Sequence, residues 1–362
     1  MAQLSICNEK FTIDDSLVVD PRANSPWQSL QEEALQEAIA EAFDTPHNFP
    51  PIAQAVLAED QIAIAVEPDT PCGWQVACLV AQRFVDQGSA PGQITIVCSE
   101  PVPETKWNCV QHDGTDEEQM AYLAVDQQGV PLYINRTLFD ADIVVPIGTG
   151  DGGRRRCSIC PTYCSVETQN HIARQKPKIA NSIARMIDNN LGVFWQVRIV
   201  TEPGDQVVKV LVGESEAVLE ASSELGSQVW NVDVAEPSNM VLATIESPAS
   251  QSWLNLRRAI LNADALVAEG GSIVICTDLG GRPPTTWPNP DEADSVKAKD
   301  SELREVFQRR LLFLASRLTQ EPTERIGFGF VENQTQIEKL IQQHGSCLLL
   351  RDAHRVCQQT NA

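Results

Sequence analysis

Positive charge is in short supply. Lys and Arg number 27 against 49 Asp and Glu in a chain of 362 residues, a formal charge of −22. A field of that sign repels phosphate backbones and anionic headgroups, so neither nucleic acid nor a membrane surface is an expected partner. A small anionic molecule would have to be captured by a local cationic pocket. Long apolar runs are missing as well, and nothing approaches the ~18 residues a spanning helix needs. The segment Met1-Ala2-Gln3-Leu4-Ser5-Ile6-Cys7 puts no basic stretch ahead of an apolar one. A secretory signal is therefore not expected, and a cytoplasmic address follows by default. Histidine is scarce, with five in the chain, which limits proton transfer near neutral pH, the work that side chain does best. The 11 cysteines are odd in number and scattered. In a reducing compartment they read as small buried hydrophobes, not as a disulfide framework.

What is present is ordinary for a globular protein: 43% hydrophobic and 21% charged residues. At roughly 150 residues per domain the length predicts two domains. Strand-like and helix-like segments alternate, the pattern of an α/β fold with largely parallel sheets. Leu30, Leu35, Ile39 and Phe43 form a helical stripe over residues 29–42. Residues 61–66, Gln-Ile-Ala-Ile-Ala-Val, read as a buried strand, followed by a helix at 76–87 and a strand at 93–98. Residues 131–134 read as a short edge strand and 141–147 as a buried one. A helix is expected at 179–189, and a hairpin turns at Glu202-Pro203-Gly204-Asp205. These elements make a domain over residues 1–236. A smaller α/β domain follows over 237–362. Its first helix is expected at 252–269, ended by Gly270-Gly271 ahead of a strand at 272–277. A long helix is expected at 301–318, and a strand–helix–strand unit closes the chain with strands at 325–330 and 347–351.

Several strings carry a resemblance. Residues 38–46, Ala-Ile-Ala-Glu-Ala-Phe-Asp-Thr-Pro, precede Pro50-Pro51-Ile52 and the strand at 61–66. Pro131-Leu132-Tyr133-Ile134-Asn135-Arg136 precedes Asp140-Ala141-Asp142-Ile143-Val144. Leu191-Gly192-Val193-Phe194 leads to the hairpin, and Arg257-Arg258-Ala259 leads to Glu269-Gly270-Gly271-Ser272. In order and spacing these resemble the lactate-racemase family with its characteristic N-terminal domain. The resemblance implies two α/β domains with a cleft between them that takes a small hydroxy or carboxylic acid. It also implies a nickel ion in a nicotinate-derived pincer nucleotide tethered to a lysine. Family members abstract hydride from the carbinol carbon of a 2-hydroxy acid and return it to either face, with histidines as proton acceptors and metal ligand.

The family's chemistry carries over poorly. Its D-H-T-R-P string stands here as Glu67-Pro68-Asp69-Thr70-Pro71, which keeps an acid and loses the substrate-binding arginine. Its A-T-G-x-H-R string becomes Cys98-Ser99-Glu100-Pro101-Val102-Pro103, and its P-H-F-F-A-G string becomes Gly148-Thr149-Gly150-Asp151, both without histidine. The tethering lysine is replaced in Gly152-Gly153-Arg154-Arg155-Arg156, and a guanidinium that stays protonated cannot form that link. In the second domain Y-Q-x-x-K becomes Leu254-Asn255-Leu256-Arg257-Arg258, an amide and a cation. Asn170-His171 falls where the family's nickel-binding histidine lies. Ordinary nickel-pincer racemisation is therefore not expected.

Two constellations could carry other chemistry. Cys157, Cys160 and Cys164 are spaced C-x2-C-x3-C with His171 nearby, a set of soft ligands suited to zinc or an iron–sulfur cluster and compatible with nickel. The same residues also read as buried thiols. Arg154, Arg155 and Arg156 could fork a carboxylate or phosphate, or pair with the abundant acids. Asp69, Asn255 and Arg258 complete the substrate-binding candidates. Three functions remain open: an isomerase-family enzyme with altered chemistry, a non-catalytic binding or regulatory scaffold, and a metal or redox protein using the cysteine loop.

Overall fold

The computed structural model describes residues 2–6, 9–13, 18–22, 25–150, 159–284, 287, 301–345 and 347–356, with the backbone alone at 2–6, 9–12, 249 and 301. The chain divides into two compact units, Trp27–Val229 and Met1–Pro26 with Trp230–Ala362. The sequence reading placed residues 1–236 together, whereas the first 26 residues group with the second unit. They form a hairpin of β1 (Ala2–Ile6) and β2 (Glu9–Ile13), paired antiparallel from Ala2↔Ile13 to Ile6↔Glu9. The buried side chains of Ile13 and Val18 pack with Met240, Leu242, Val274 and Leu349. Val19 bridges Leu348, donating its N–H to the Cys347 carbonyl at 2.8 Å and accepting from Leu349 N–H at 2.9 Å.

The unit Trp27–Val229 begins with α1 (Glu32–Asp44), whose Leu35, Ile39 and Phe43 are buried as the stripe predicts. Then come β3 (Ile62–Val66), α2 (Gly73–Asp86), β4 (Ile94–Cys98) and β5 (Asn108–Gln111). A two-stranded antiparallel ribbon follows, β6 (Met120–Val125) with β7 (Pro131–Asn135), so the edge strand foreseen at 131–134 has a partner of its own. The chain continues through α3 (Arg136–Phe139), β8 (Ile143–Thr149), α4 (Val166–Ala173) and α5 (Pro177–Asn190). It closes with the hairpin of β9 (Trp195–Glu202) and β10 (Gln206–Glu214), and then α6 (Ser215–Trp230).

The main sheet has the order β10-β9-β8-β3-β4-β5. All its pairings are parallel except β9 with β10. Central β3 is buried on both faces, which is why its sequence is an unbroken apolar run and not an alternation. One face packs Phe43, Phe84 and Trp195 edge to face, with centroids 5.5 and 5.9 Å apart along the chain of contacts from Phe43. The other face carries Leu132, Ile134, Tyr163, Cys164 and Ile187.

The second unit continues with β11 (Ser238–Ile245), α7 (Trp253–Asp264), β12 (Val267–Thr277), α8 (Ser301–Arg309) and β13 (Leu311–Ala315). It ends with α9 (Gln320–Arg325), β14 (Gly329–Phe330), α10 (Gln334–His344) and β15 (Leu348–Leu350). Its sheet, β14-β13-β12-β11-β15, is parallel throughout. Here three boundaries differ from the sequence reading. The helix expected to reach residue 269 stops at Asp264, whose carboxylate is held by Arg309 and, at 2.8 Å, by Arg310 Nε. Leu266 and Val267 are then buried as part of the strand side, and Gly270-Gly271 lie inside β12, where its register with β11 skips from Ser238↔Val267 to Met240↔Ser272. The helix expected over 301–318 ends at Arg309, because Leu311–Ala315 pairs with Ser272–Cys276 of β12. A short apolar run fits a helix or a buried strand equally by periodicity, and its pairing partner decides. Of the strand expected at 325–330, Arg325 ends α9, a turn follows at 326–327, and only Gly329–Phe330 pairs. No helix among the described residues is long and apolar enough to cross a membrane.

Candidate functional site

Open α/β sheets place ligands outside the carboxyl ends of their strands, where the winding reverses. In the sheet of Trp27–Val229 the chain runs from β3 to β4 and β5 on one side, then returns to β8 and β9 on the other. The switch point therefore lies past the ends of β3 and β8. It is filled by a buried ion pair. Glu67, directly after β3, is 4% exposed, and Arg198 of β9 is 0% exposed. Arg198 Nη1 stands 2.9 Å from Glu67 Oε1 and donates to Oε2 at 3.1 Å and to the Thr149 carbonyl at 3.3 Å. Its Nε and Nη2 donate to Gln196 Oε1 at 3.1 and 2.8 Å. Gly148 leaves the room for this: a Cβ there would lie 2.2 Å from both Arg198 Nη1 and Glu67 Oε2.

Tyr163 ties the neighbouring strand ends together. Its hydroxyl contacts the carbonyls of Val66 and, at 3.0 Å, Val97. Burial pushes its pKa well up, helped by nearby Cys98, Glu67 and Glu100. The loop after β3 contains Asp69 and Cys72 at φ 59° and 53°, the left-handed region, and Cys72 donates its thiol to the Asp205 carbonyl at 3.3 Å.

The sequence candidates scatter across this frame. Arg154, Arg155, Arg156 and Cys157 lie outside the described residues. Cys160 and Cys164 are buried in the apolar cluster with Ile159, Leu132 and Ile172. His171, on α4, stands with its Nε2 2.7 Å from Asp126 Oδ2. Burial pushes the Asp126 carboxyl up, but hydrogen bonds from Val130 N–H, His171 and Gln128 N–H outweigh it and hold its pKa below the ordinary range. Among the described residues no three His, Cys, Asp or Glu side chains come together to hold a metal ion. The His171 ring is held by Asp126 through Nε2, and the described part of the expected ligand set, Cys160, Cys164 and His171, does not form a cluster. Asn255 and Arg258 belong to the other unit. The Asn255 amide is buried, donating Nδ2 to the Ser250 carbonyl at 3.0 Å and accepting at Oδ1 from Arg258 Nη1 at 3.1 Å. That arrangement braces the start of α7.

The sequence reading passed over His112. It follows β5 directly and is 8% exposed. It lines a cavity of about 750 Å³ at the carboxyl ends of β4 and β5, together with Ser99, Gln111, Asp113, Thr162 and Gln169 among others. Asn135 Nδ2 stands 3.1 Å from His112 Nδ1. An amide NH₂ can only donate, so the neutral ring carries its proton on Nε2. That nitrogen is buried without a well-formed hydrogen bond; the nearby Cys164 carbonyl already accepts from Gln169 Nε2 at 2.9 Å. Burial lowers the His112 pKa, with the Cys164 carbonyl and Asp113 opposing in part. A strand end followed by one of only five histidines was the available signal.

A pH dependence follows. His112 is a base with a folded pKa below its unfolded value of about 6.5, so the unfolded chain binds the proton more readily. Its contribution to stability is complete above that pH and is lost as pH falls below it. Urea midpoints measured from pH 7.5 to 5 should decline, and His112→Asn should flatten the decline. An unchanged slope in the variant would remove His112 from this role.

No protein-family model matches the chain, and no curated protein matches it by sequence. Solved structures are similar to it, two of which follow. The structure of the lactate racemase apoprotein from Thermoanaerobacterium thermosaccharolyticum superposes with a TM-score of 0.69 at 14% identity, covering 99% of each chain. A structural-genomics target protein from Thermotoga maritima superposes with a TM-score of 0.61 at 12% identity, covering 92% of this chain and 99% of that one. At these identities the likeness is one of fold: the chain folds as a lactate-racemase-like α/β protein.

Proposed function

We propose that this chain is a small-molecule-binding protein on the lactate-racemase scaffold, taking a small hydroxy or carboxylic acid without nickel-pincer racemisation. One observation carries the reading. The polar groups that the resemblance sets at the racemase positions are engaged internally: His171 by Asp126 at 2.7 Å, and Glu67 by Arg198 at 2.9 Å. A buried charge already neutralised by a protein partner has little to gain from a substrate. The cation needed for an acid would come from Arg154, Arg155 and Arg156, which follow the carboxyl end of β8 in the sequence.

The test is elemental analysis and intact mass of untagged protein purified without oxygen, an assay of D- and L-lactate interconversion with the pincer cofactor supplied, and thermal-shift titration with 2-hydroxy acids. We expect no stoichiometric nickel, no mass adduct and no interconversion. A 2-hydroxy acid should raise Tm, with the shift lost when the three arginines are replaced by alanine. Nickel with an adduct, or turnover of lactate, would restore the racemase reading. Stoichiometric zinc or iron would move the chemistry to the cysteine loop, and no acid-induced shift would remove the binding function.

A further inference from the structure

The cavity past β4 and β5 has a chemistry of its own. We propose that it binds a small neutral polyhydroxylated molecule, a monosaccharide or polyol. This goes beyond the acid-binding reading, because the cavity lies at the ends of β4 and β5, whereas Arg154–Arg156 follow β8 in the sequence.

Among the described residues the lining contains no Lys or Arg, and its single charged side chain is Asp113. Hydrogen bonds from the Thr115 hydroxyl and N–H, at 2.7 and 2.9 Å, both end on Asp113 Oδ1 and keep the carboxylate ionised. An anion entering here would meet the negative charge of Asp113 with no counter-charge among the described lining residues, which favours a neutral guest. A metal ion is also disfavoured, since no group of three ligating side chains forms among the described residues.

Against that, the walls carry hydrogen-bonding capacity that the protein does not use. The hydroxyls of Ser99 and Thr162, the Gln111 amide and Asp113 Oδ2 make no hydrogen bond among the described residues. Hydroxyls and amides both donate and accept, whereas a carboxylate only accepts; together they match the alternating donor and acceptor pattern of neighbouring hydroxyls. Gln169 is fixed by its own bonds to the Thr162 and Cys164 carbonyls at 3.4 and 2.9 Å. Neutral, buried His112, its ring set by Asn135 at Nδ1 and close to the Cys164 carbonyl, adds a polar edge to the wall. Pro161 and Val166 supply an apolar wall for the C–H face of a ring. The volume of about 750 Å³ falls within the range of small-ligand sites.

The experiment is calorimetric titration of the full chain in a glycerol-free buffer. The probes are D-glucose, D-galactose, D-mannose, myo-inositol and D-sorbitol, with D-gluconate as the charged counterpart of the same carbon skeleton. We expect saturable binding of at least one neutral probe and about tenfold weaker binding of gluconate. Gln111→Ala and Thr162→Val should each weaken the neutral probe by about threefold to tenfold, the range expected for one lost neutral hydrogen bond. Their unfolding midpoints should match the parent, since neither side chain is hydrogen-bonded among the described residues. The triple arginine-to-alanine variant should leave this binding intact, which separates it from the acid-binding reading. Binding of none of the neutral probes, gluconate as tight as glucose, or affinity indifferent to both cavity variants would each overturn the proposal.

Discussion

Arg198→Met should lower the unfolding free energy of the Trp27–Val229 unit by about 3–5 kcal/mol, because it takes the buried guanidinium away from the Glu67 carboxylate. The guanidinium is fully buried and makes bonds on two edges, to Glu67 and Thr149 on one and Gln196 on the other. Glu67→Gln should cost less, since it leaves an amide that can still accept from Arg198. The double change Glu67→Leu with Arg198→Met should recover most of the loss, since an apolar pair of similar volume removes the uncompensated charge. Urea unfolding of the three variants measures this. A single-variant loss below about 1 kcal/mol would mean that water reaches the pair and that the switch point is not sealed.

The second large effect concerns Gly213, near the end of β10. Its φ is +151°, and a Cβ there would lie 2.2 Å from the His47 carbonyl oxygen and 2.5 Å from its nitrogen. His47 is laced to this strand by its N–H to the Val212 carbonyl at 2.8 Å and by Glu214 N–H to its own carbonyl at 2.9 Å. The clash is backbone against side-chain root, so no rotamer change relieves it. Gly213→Ala should cost on the order of 4 kcal/mol, steric strain added to an unfavourable dihedral. Gly204, in the β9–β10 turn, is the control. Its φ is +76° with open space around the added Cβ, and Gly204→Ala should cost only about 1–2 kcal/mol. Equal losses at the two sites would show that the dihedral, and not the approach of His47, is what requires glycine.

Much of the fold was written locally. The five consecutive buried residues of β3, the stripe of α1 and the Glu-Pro-Gly-Asp turn between β9 and β10 each follow from side-chain type and spacing within a few residues. The alternation of strands and helices was enough to predict parallel α/β sheets, because a parallel pair needs a crossover and the crossover is the helix. The absence of histidine from residues 98–103 and of lysine from residues 152–156 was also legible, since it concerns which residues exist and not where they go.

What tertiary structure decided depends on partners far away in the chain. Leu311–Ala315 is a strand because β12 is there to pair with it, and residues 1–26 join the second unit because Val19 meets Leu348. Cys160 and Cys164 have a ligand-like spacing, yet the packing of Ile159, Leu132 and Ile172 turns them into the core. His171 reads as a metal ligand by position, and only the fold brings Asp126, 45 residues upstream, to its Nε2. His112 carries no motif at all; it becomes a site residue because β4, β5 and the segment around residues 161–169 converge on it. Periodicity and residue type determine which face of an element is buried. They do not encode which charges meet inside that burial, because a buried charge is tolerated only beside a specific partner, and that partner is chosen by the fold.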